Sequence, residues 1–157
     1  MTTPVFLLFG AHGDLAMRML WPSLFRLHCD KSLPEPMQIY GLGRSGTTQE
    51  LREQLHQSLT DEVNDANRAQ FEQFLEKTAF IKLEAALELD YQTLAKYLAE
   101  KSQHVALAYL SMPPDLFAPI VENLHHAVLI NPDTRIILEK PIGKDLASSR
   151  AISNGVA

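Results

Sequence analysis

The sequence predicts an α/β domain: a doubly wound parallel sheet with helices on both faces. Three observations predict it. Short apolar runs at residues 5–9, 37–42, 79–83, 105–110 and 134–138 alternate with stretches of helical periodicity. The first run stops at Gly10, and the spacing Gly10-x-x-Gly13-x-x-Ala16 opens the amphipathic stretch that follows. Polar or glycine- and proline-bearing loops come directly after four of the runs, at residues 10–14, 43–46, 111–114 and 139–143. Ligands bind beyond the carboxyl ends of strands in such sheets, so these loops are where a site is expected.

The bulk properties agree with one globular domain. A chain of 157 residues buries roughly 70% of the surface that its unfolded form exposes. With 46% hydrophobic and 21% charged residues the composition is ordinary. The net charge of -5 gives no support to a nucleic-acid or membrane-surface partner. Cys29 is the only cysteine, which excludes an intrachain disulfide and a multi-cysteine zinc site and fits a reduced cytoplasm. No apolar run approaches the ~18–20 residues of a membrane span. Met1-Thr2-Thr3 lacks a basic region, so no signal peptide is expected.

Val5–Phe9 is continuously apolar, as suits a central strand covered on both faces. From Asp14 to about His28, Leu15, Met19, Leu20, Leu24 and Leu27 recur at helical spacing. Pro22 should kink or divide that helix, because it removes a donor and crowds the preceding turn. Residues 30–36 form a connector, and a second strand runs over 37–42. Thr47 or Thr48 could cap the next helix, with Glu50 near the capping-box position and Leu51, Leu55 and Leu59 on one stripe. Phe71, Phe74 and Leu75 indicate another helix before the third strand at 79–83. Asp90 is a plausible N-cap for a helix to about Ala99, with Leu94, Tyr97 and Leu98 inward. The fourth strand, 105–110, precedes a helix over 114–126 with proline in its first turn. A fifth strand over 134–138 leads to Glu139-Lys140-Pro141, and a last helix is expected from about Asp145. No internal repeat or domain boundary is visible, so residues 1–157 read as one domain.

The first glycine loop carries the clearest chemistry. The unpaired N–H groups of a first helical turn, with the positive end of its dipole, attract phosphate. Gly10 would make the turn, Gly13 would admit a pyrophosphate close to the backbone, and Ala16 would keep the helix near the sheet. This is a variant of the dinucleotide fingerprint, and the expected fold is therefore Rossmann-like. His12 either donates to a phosphate oxygen or is an exposed loop residue. Asp14 suits an N-cap or first-turn carboxylate that holds the loop.

Arg44 bears on cofactor choice. An NAD-binding domain usually places an acid at the end of its second strand, whereas this end reads Gly43-Arg44-Ser45. A guanidinium matches a phosphate with paired donors, which points to the 2′-phosphate of NADP; a surface arginine is the plainer alternative. Lys140 could reach a nicotinamide or a phosphorylated, hydroxylated substrate, or simply mark a strand exit. Tyr109 and Pro113-Pro114 are either a core aromatic and a helix start or one wall of a nicotinamide pocket. The histidines His28, His56, His104, His125 and His126 show no metal-ligand pattern and suit helix surfaces.

Taken together, Phe9-Gly10-Ala11-His12-Gly13-Asp14-Leu15-Ala16 with Pro22-Ser23-Leu24, Gly41-Leu42-Gly43-Arg44, Tyr109-Leu110-Ser111-Met112-Pro113-Pro114 and Arg135 to Gly143 resemble the N-terminal part of the glucose-6-phosphate dehydrogenase family. The pieces occur in the family's order over the whole chain. The resemblance implies oxidation of glucose 6-phosphate to 6-phosphogluconolactone, with hydride passed to NADP, in the pentose phosphate pathway. It implies that Gly10, Ala11, His12, Gly13, Asp14 and Leu15 hold the pyrophosphate and Arg44 the 2′-phosphate. It implies that Tyr109, Met112 and Pro113 line the cofactor site, that Glu84 lies near the adenosine, and that Lys140 contacts both substrate and cofactor.

There are departures. Met17 stands where the family commonly has a basic residue, and His12 where it has a smaller or different one. The family's Arg-Ile-Asp-His-Tyr-Leu-Gly-Lys segment does not occur in these residues. With it would come the general-base histidine and the oligomer interface of the large second domain. The expectation is thus a coenzyme domain that catalyses nothing by itself. The alternatives are a stand-alone NADP(H)-sensing module and a domain of another Glu-Lys-Pro sugar oxidoreductase.

Overall fold

The computed structural model describes residues 2–138. Its strands are β1 (Thr3–Phe9), β2 (Gln38–Gly43), β3 (Thr78–Lys82), β4 (Gln103–Leu110) and β5 (Arg135–Leu138). Its α-helices are α1 (Trp21–Cys29), α2 (Thr48–Ser58), α3 (Arg68–Glu76), α4 (Glu88–Glu100) and α5 (Phe117–His126). All strand pairings are parallel, and the sheet order is β3-β2-β1-β4-β5. The chain winds outward from β1 to β3, then returns to the other side of β1. The order therefore reverses between β1 and β4, which is the topological switch point of a doubly wound sheet. Among the described residues no helix is long and apolar enough to cross a membrane.

The period-2 alternation of β1 divides the core into two layers. Val5, Leu7 and Phe9 face a cluster with Tyr91, Leu94 and Leu98 of α4 and Phe117, Ile120 and Leu124 of α5. Phe6 and Leu8 face the opposite cluster, with Trp21, Phe25, Leu51, Leu55, Phe71 and Phe74 of α1 to α3. Both faces of β1 are dry, which is why its sequence is apolar without interruption.

Several local expectations need correction. The helix after Gly13 is not divided at Pro22. A π-helical turn over Ala16–Leu20, closed by the Trp21 N–H on the Ala16 carbonyl, runs directly into α1, and Pro22 occupies the first turn of α1. A π turn takes an extra residue per turn and so rotates the helix face. Met17, Trp21, Leu24, Phe25 and His28 are consequently buried, whereas Met19 and Leu27 are exposed. His28 is not a surface histidine: its ring packs on Phe74, and burial, aided by the Lys77 ammonium, holds its pKa below the ordinary imidazole range.

Asp90 does not cap α4. The helix begins at Glu88, and the Asp90 carboxylate instead accepts from the Glu84 N–H at 2.8 Å. Leu94 and Leu98 are buried, but Tyr97 is partly exposed; it lies edge-on to Tyr40 with the Lys101 ammonium over its ring. The segment after β4 starts as a 3-10 turn, Pro114–Leu116, before α5. The helix expected from Asp145 lies outside the described residues.

Thr47 fulfils its expected role. Its hydroxyl accepts from the Glu50 N–H at 3.1 Å at the start of α2. Thr47→Ala should lower stability by about 1 kcal/mol through that one unpaired donor, which chemical denaturation would read as a lower midpoint at unchanged slope.

Candidate functional site

The site is built where β1, β2 and β4 end. Gly10 has φ +80, a left-handed conformation that favours glycine. A Cβ there would sit 2.0 Å from the Ser111 carbonyl oxygen and 3.1 Å from Met112 Sδ, so no side chain fits between the first loop and the loop after β4. The loops are also bonded. The Gly10 and Ala11 N–H groups donate to the Leu42 carbonyl at 3.1 and 3.3 Å, and the Ser111 N–H donates to the Phe9 carbonyl at 3.0 Å. Three strand ends are thereby fixed to one another.

The turn closes through the Gly13 N–H on the Gly10 carbonyl at 3.0 Å, with Met17 N–H on the Gly13 carbonyl beginning the helix. A Cβ on Gly13 would lie 3.2 Å from that Gly10 oxygen, tight but not blocked. Gly13 and Asp14 are exposed, whereas Ala11 and Ala16 are fully buried. Ala16 thus keeps the helix against the sheet as its spacing predicts. Among the described residues, the N–H groups of His12, Asp14 and Leu15 donate to no other loop backbone. Asp14 makes no cap; its carboxylate pairs with Arg18 one turn on at 2.9 Å, on the exposed side of the helix.

Sequence reasoning missed the parts that seat this loop. Trp21 is fully buried and donates through Nε1 to the Ala11 carbonyl at 3.0 Å. Gly41, in the middle of β2, has no room for a side chain: a Cβ would be 2.7 Å from the Ala11 Cβ. An isolated glycine inside an apolar strand is the signal that could have found this close approach. His12 is neither an exposed residue nor turned out on the loop. Its Nδ1 bonds the Gln54 amide oxygen, its ring lies 4.8 Å from Phe80, and its Nε2 is buried. Gly46, at φ +131, closes over it, with a Cβ position 2.7 Å from Nε2. The imidazole thus supports the loop after β2.

Arg44 stands on that loop, 79% exposed, with Nε 3.4 Å from Oε2 of Glu84 at the end of β3. Tyr109 pairs in register between Leu8 of β1 and Ile137 of β5 and packs on the α1 side of the sheet. Met112 is partly buried beside Gly10, and the exposed Pro113 caps the 3-10 turn that starts at Pro114. The expected loops at 10–14, 43–46 and 111–114 therefore come together at the carboxyl end of the sheet, with Glu84 on its β3 side. Lys140 and the loop 139–143 lie outside the described residues.

This arrangement, a glycine turn at the switch point of a 3-2-1-4-5 parallel sheet with its first helical turn facing the strand ends, is matched by known proteins. Residues 7–157 match the family model described as glucose-6-phosphate dehydrogenase, NAD binding domain. The chain belongs to that family. A glucose-6-phosphate 1-dehydrogenase of Rhizobium meliloti is 31% identical over 154 residues, which is 96% of this chain and 31% of that protein. Among solved structures, a glucose-6-phosphate dehydrogenase in complex with its substrate glucose-6-phosphate superposes with a TM-score of 0.82 at 27% identity, covering 99% of this chain and 34% of that one. The Mycobacterium avium glucose-6-phosphate 1-dehydrogenase gives 0.80 at 31% identity, covering 99% of this chain and 33% of that one. The chain spans about a third of the length of the relatives it matches. It is a dinucleotide-binding domain of the glucose-6-phosphate dehydrogenase family, and its α/β sheet is the one the family's fingerprint predicts.

Proposed function

We propose that this domain holds NADP for a cytoplasmic glucose-6-phosphate dehydrogenase, which oxidises glucose 6-phosphate to 6-phosphogluconolactone. The cofactor-binding residues are Gly10, Ala11, His12, Gly13, Asp14, Leu15, Arg44, Glu84, Tyr109, Met112, Pro113 and Lys140. The single observation that carries the reading is the end of β2. Gly43 passes directly to an exposed arginine, on the same side of the sheet as the Gly10 turn, and no acid occupies that position. A neutral ribose hydroxyl asks for a carboxylate there, whereas a 2′-phosphate asks for a guanidinium.

Each part has a chemical task. The free first-turn N–H groups and the helix dipole favour the pyrophosphate. The Trp21 and Gly41 contacts hold the turn in place before the ligand arrives, which limits the ordering cost of binding. His12 would meet the cofactor through its backbone N–H, while its imidazole packs beneath the loop on Gln54 and Phe80. Lys140, two residues after β5 in the sequence, would contact both the substrate and the cofactor, as the family resemblance implies. The proton-abstracting base and most substrate contacts belong to the part of the relatives that this chain does not span. The substrate is the one that the relatives' names print; an oligomeric assembly through that second part and a role in the pentose phosphate pathway follow from the family resemblance alone.

The test is Arg44→Ala. Charge-assisted bonds to phosphate contribute about 1.5–3 kcal/mol, so NADP affinity should fall roughly 10- to 100-fold, while NAD affinity changes little. Titration of the variant with both dinucleotides checks this. Equal losses for the two would remove Arg44 from the 2′-phosphate role.

A further inference from the structure

Arg44 is not a free cation at the end of β2. Its Nε, the inner nitrogen of the guanidinium, faces the Glu84 carboxylate at 3.4 Å. The terminal Nη1 and Nη2 edge is left to meet a phosphate. Glu84 is itself fixed. The Leu83 N–H donates to the Gly43 carbonyl at 2.7 Å, which ties the end of β3 to the end of β2, and the Glu84 N–H donates to Asp90 Oδ2 at 2.8 Å. The backbone of residues 83 and 84 is thus held beside the arginine loop, by the Gly43 carbonyl at the end of β2 and by the Asp90 carboxylate behind it, and the half-exposed Glu84 side chain extends from that anchor to Arg44.

We propose that Glu84 sets the cofactor specificity of this domain by sharing Arg44, lowering the preference for a 2′-phosphate and keeping NAD competitive. The proposal rests on the reading of Arg44 given above. One positive charge must serve a carboxylate on one edge and a phosphomonoester of about −1.5 to −2 on the other. Across roughly 7 Å in a water-like dielectric, the repulsion between those two anions amounts to about fivefold in affinity. A ribose hydroxyl is neutral and meets no such repulsion. The domain therefore binds NADP better than NAD, but by less than its arginine alone would give.

Titration of the full chain with NADP and with NAD at low ionic strength tests this. Glu84→Gln preserves shape and removes the charge; it should raise the ratio of NADP to NAD affinity about fivefold, a gain that shrinks as salt is added. In an Arg44→Ala background no guanidinium draws the 2′-phosphate towards residue 84, and the gain should fall below about twofold. An equal gain in both backgrounds would mean that Glu84 acts without Arg44, and would overturn the sharing. An unchanged or lowered ratio in Glu84→Gln would overturn the proposal while leaving Arg44 as the 2′-phosphate residue, provided that Arg44→Ala alone lowers the ratio. Equal losses of both dinucleotides in Arg44→Ala would remove the two readings together.

Discussion

Gly10→Ala is expected to lower stability by about 4 kcal/mol and to abolish dinucleotide binding. Two effects add. The left-handed conformation at φ +80 strains any residue with a Cβ. The new atom would also lie 2.0 Å from the Ser111 carbonyl oxygen, which is backbone and cannot swing aside as a side chain could. Relief requires the loop after β4 to move away from β1, and that breaks the 3.0 Å bond from the Ser111 N–H to the Phe9 carbonyl. The cost therefore falls on the switch point itself. Thermal unfolding should show a midpoint lower by about 12 °C. Gly13→Ala is the natural comparison: its Cβ would stand 3.2 Å from the Gly10 oxygen with no positive φ, so stability should fall by about 1 kcal/mol. A Gly10→Ala protein that melts within about 2 °C of the parent would show that the loops are not locked together in this way.

Trp21→Ala should be as damaging, at about 4 kcal/mol. The side chain is fully buried, edge-on to Phe74 at 6.2 Å, and fills the space under the glycine turn. Trp21→Phe separates packing from hydrogen bonding. It keeps most of the ring but leaves the Ala11 carbonyl without its 3.0 Å donor, at about 1–3 kcal/mol for an unsatisfied buried acceptor. Because that carbonyl is in the glycine turn proposed to meet the pyrophosphate, dinucleotide affinity should also fall, by about tenfold. Calorimetry of the free protein together with cofactor titration distinguishes the two effects. Stability lost with unchanged affinity would make Trp21 a core residue only.

Much of this site was legible because it is local. Gly10, Gly13 and Ala16 announce a strand, a turn and a helix through backbone conformation and helix–sheet spacing, and those requirements act within a few residues. Thr47 declares its cap for the same reason. The misreadings share a cause as well. Met19 and Leu27 were placed on the buried stripe by an ideal helical period, but the π turn over Ala16–Leu20 shifts the face by one residue. Asp90 has the side chain of an N-cap and is used instead to hold the backbone of Glu84, six residues away in the chain.

By itself the sequence determined the alternation of strand and helix, the glycine turn between the first strand and the first helix, and the absence of an acid directly after the second strand. These follow from hydrophobic period, glycine conformation and charge type, all of which are written along the chain. Only the tertiary structure decided that Trp21 and Gly41 seat the turn, that His12 lies under the Arg44 loop against Phe80 and Gln54, and that Arg44 is shared with Glu84. Such contacts join residues on different strands and helices. Their partners are chosen by the register of a parallel sheet, and no spacing within one segment encodes that register.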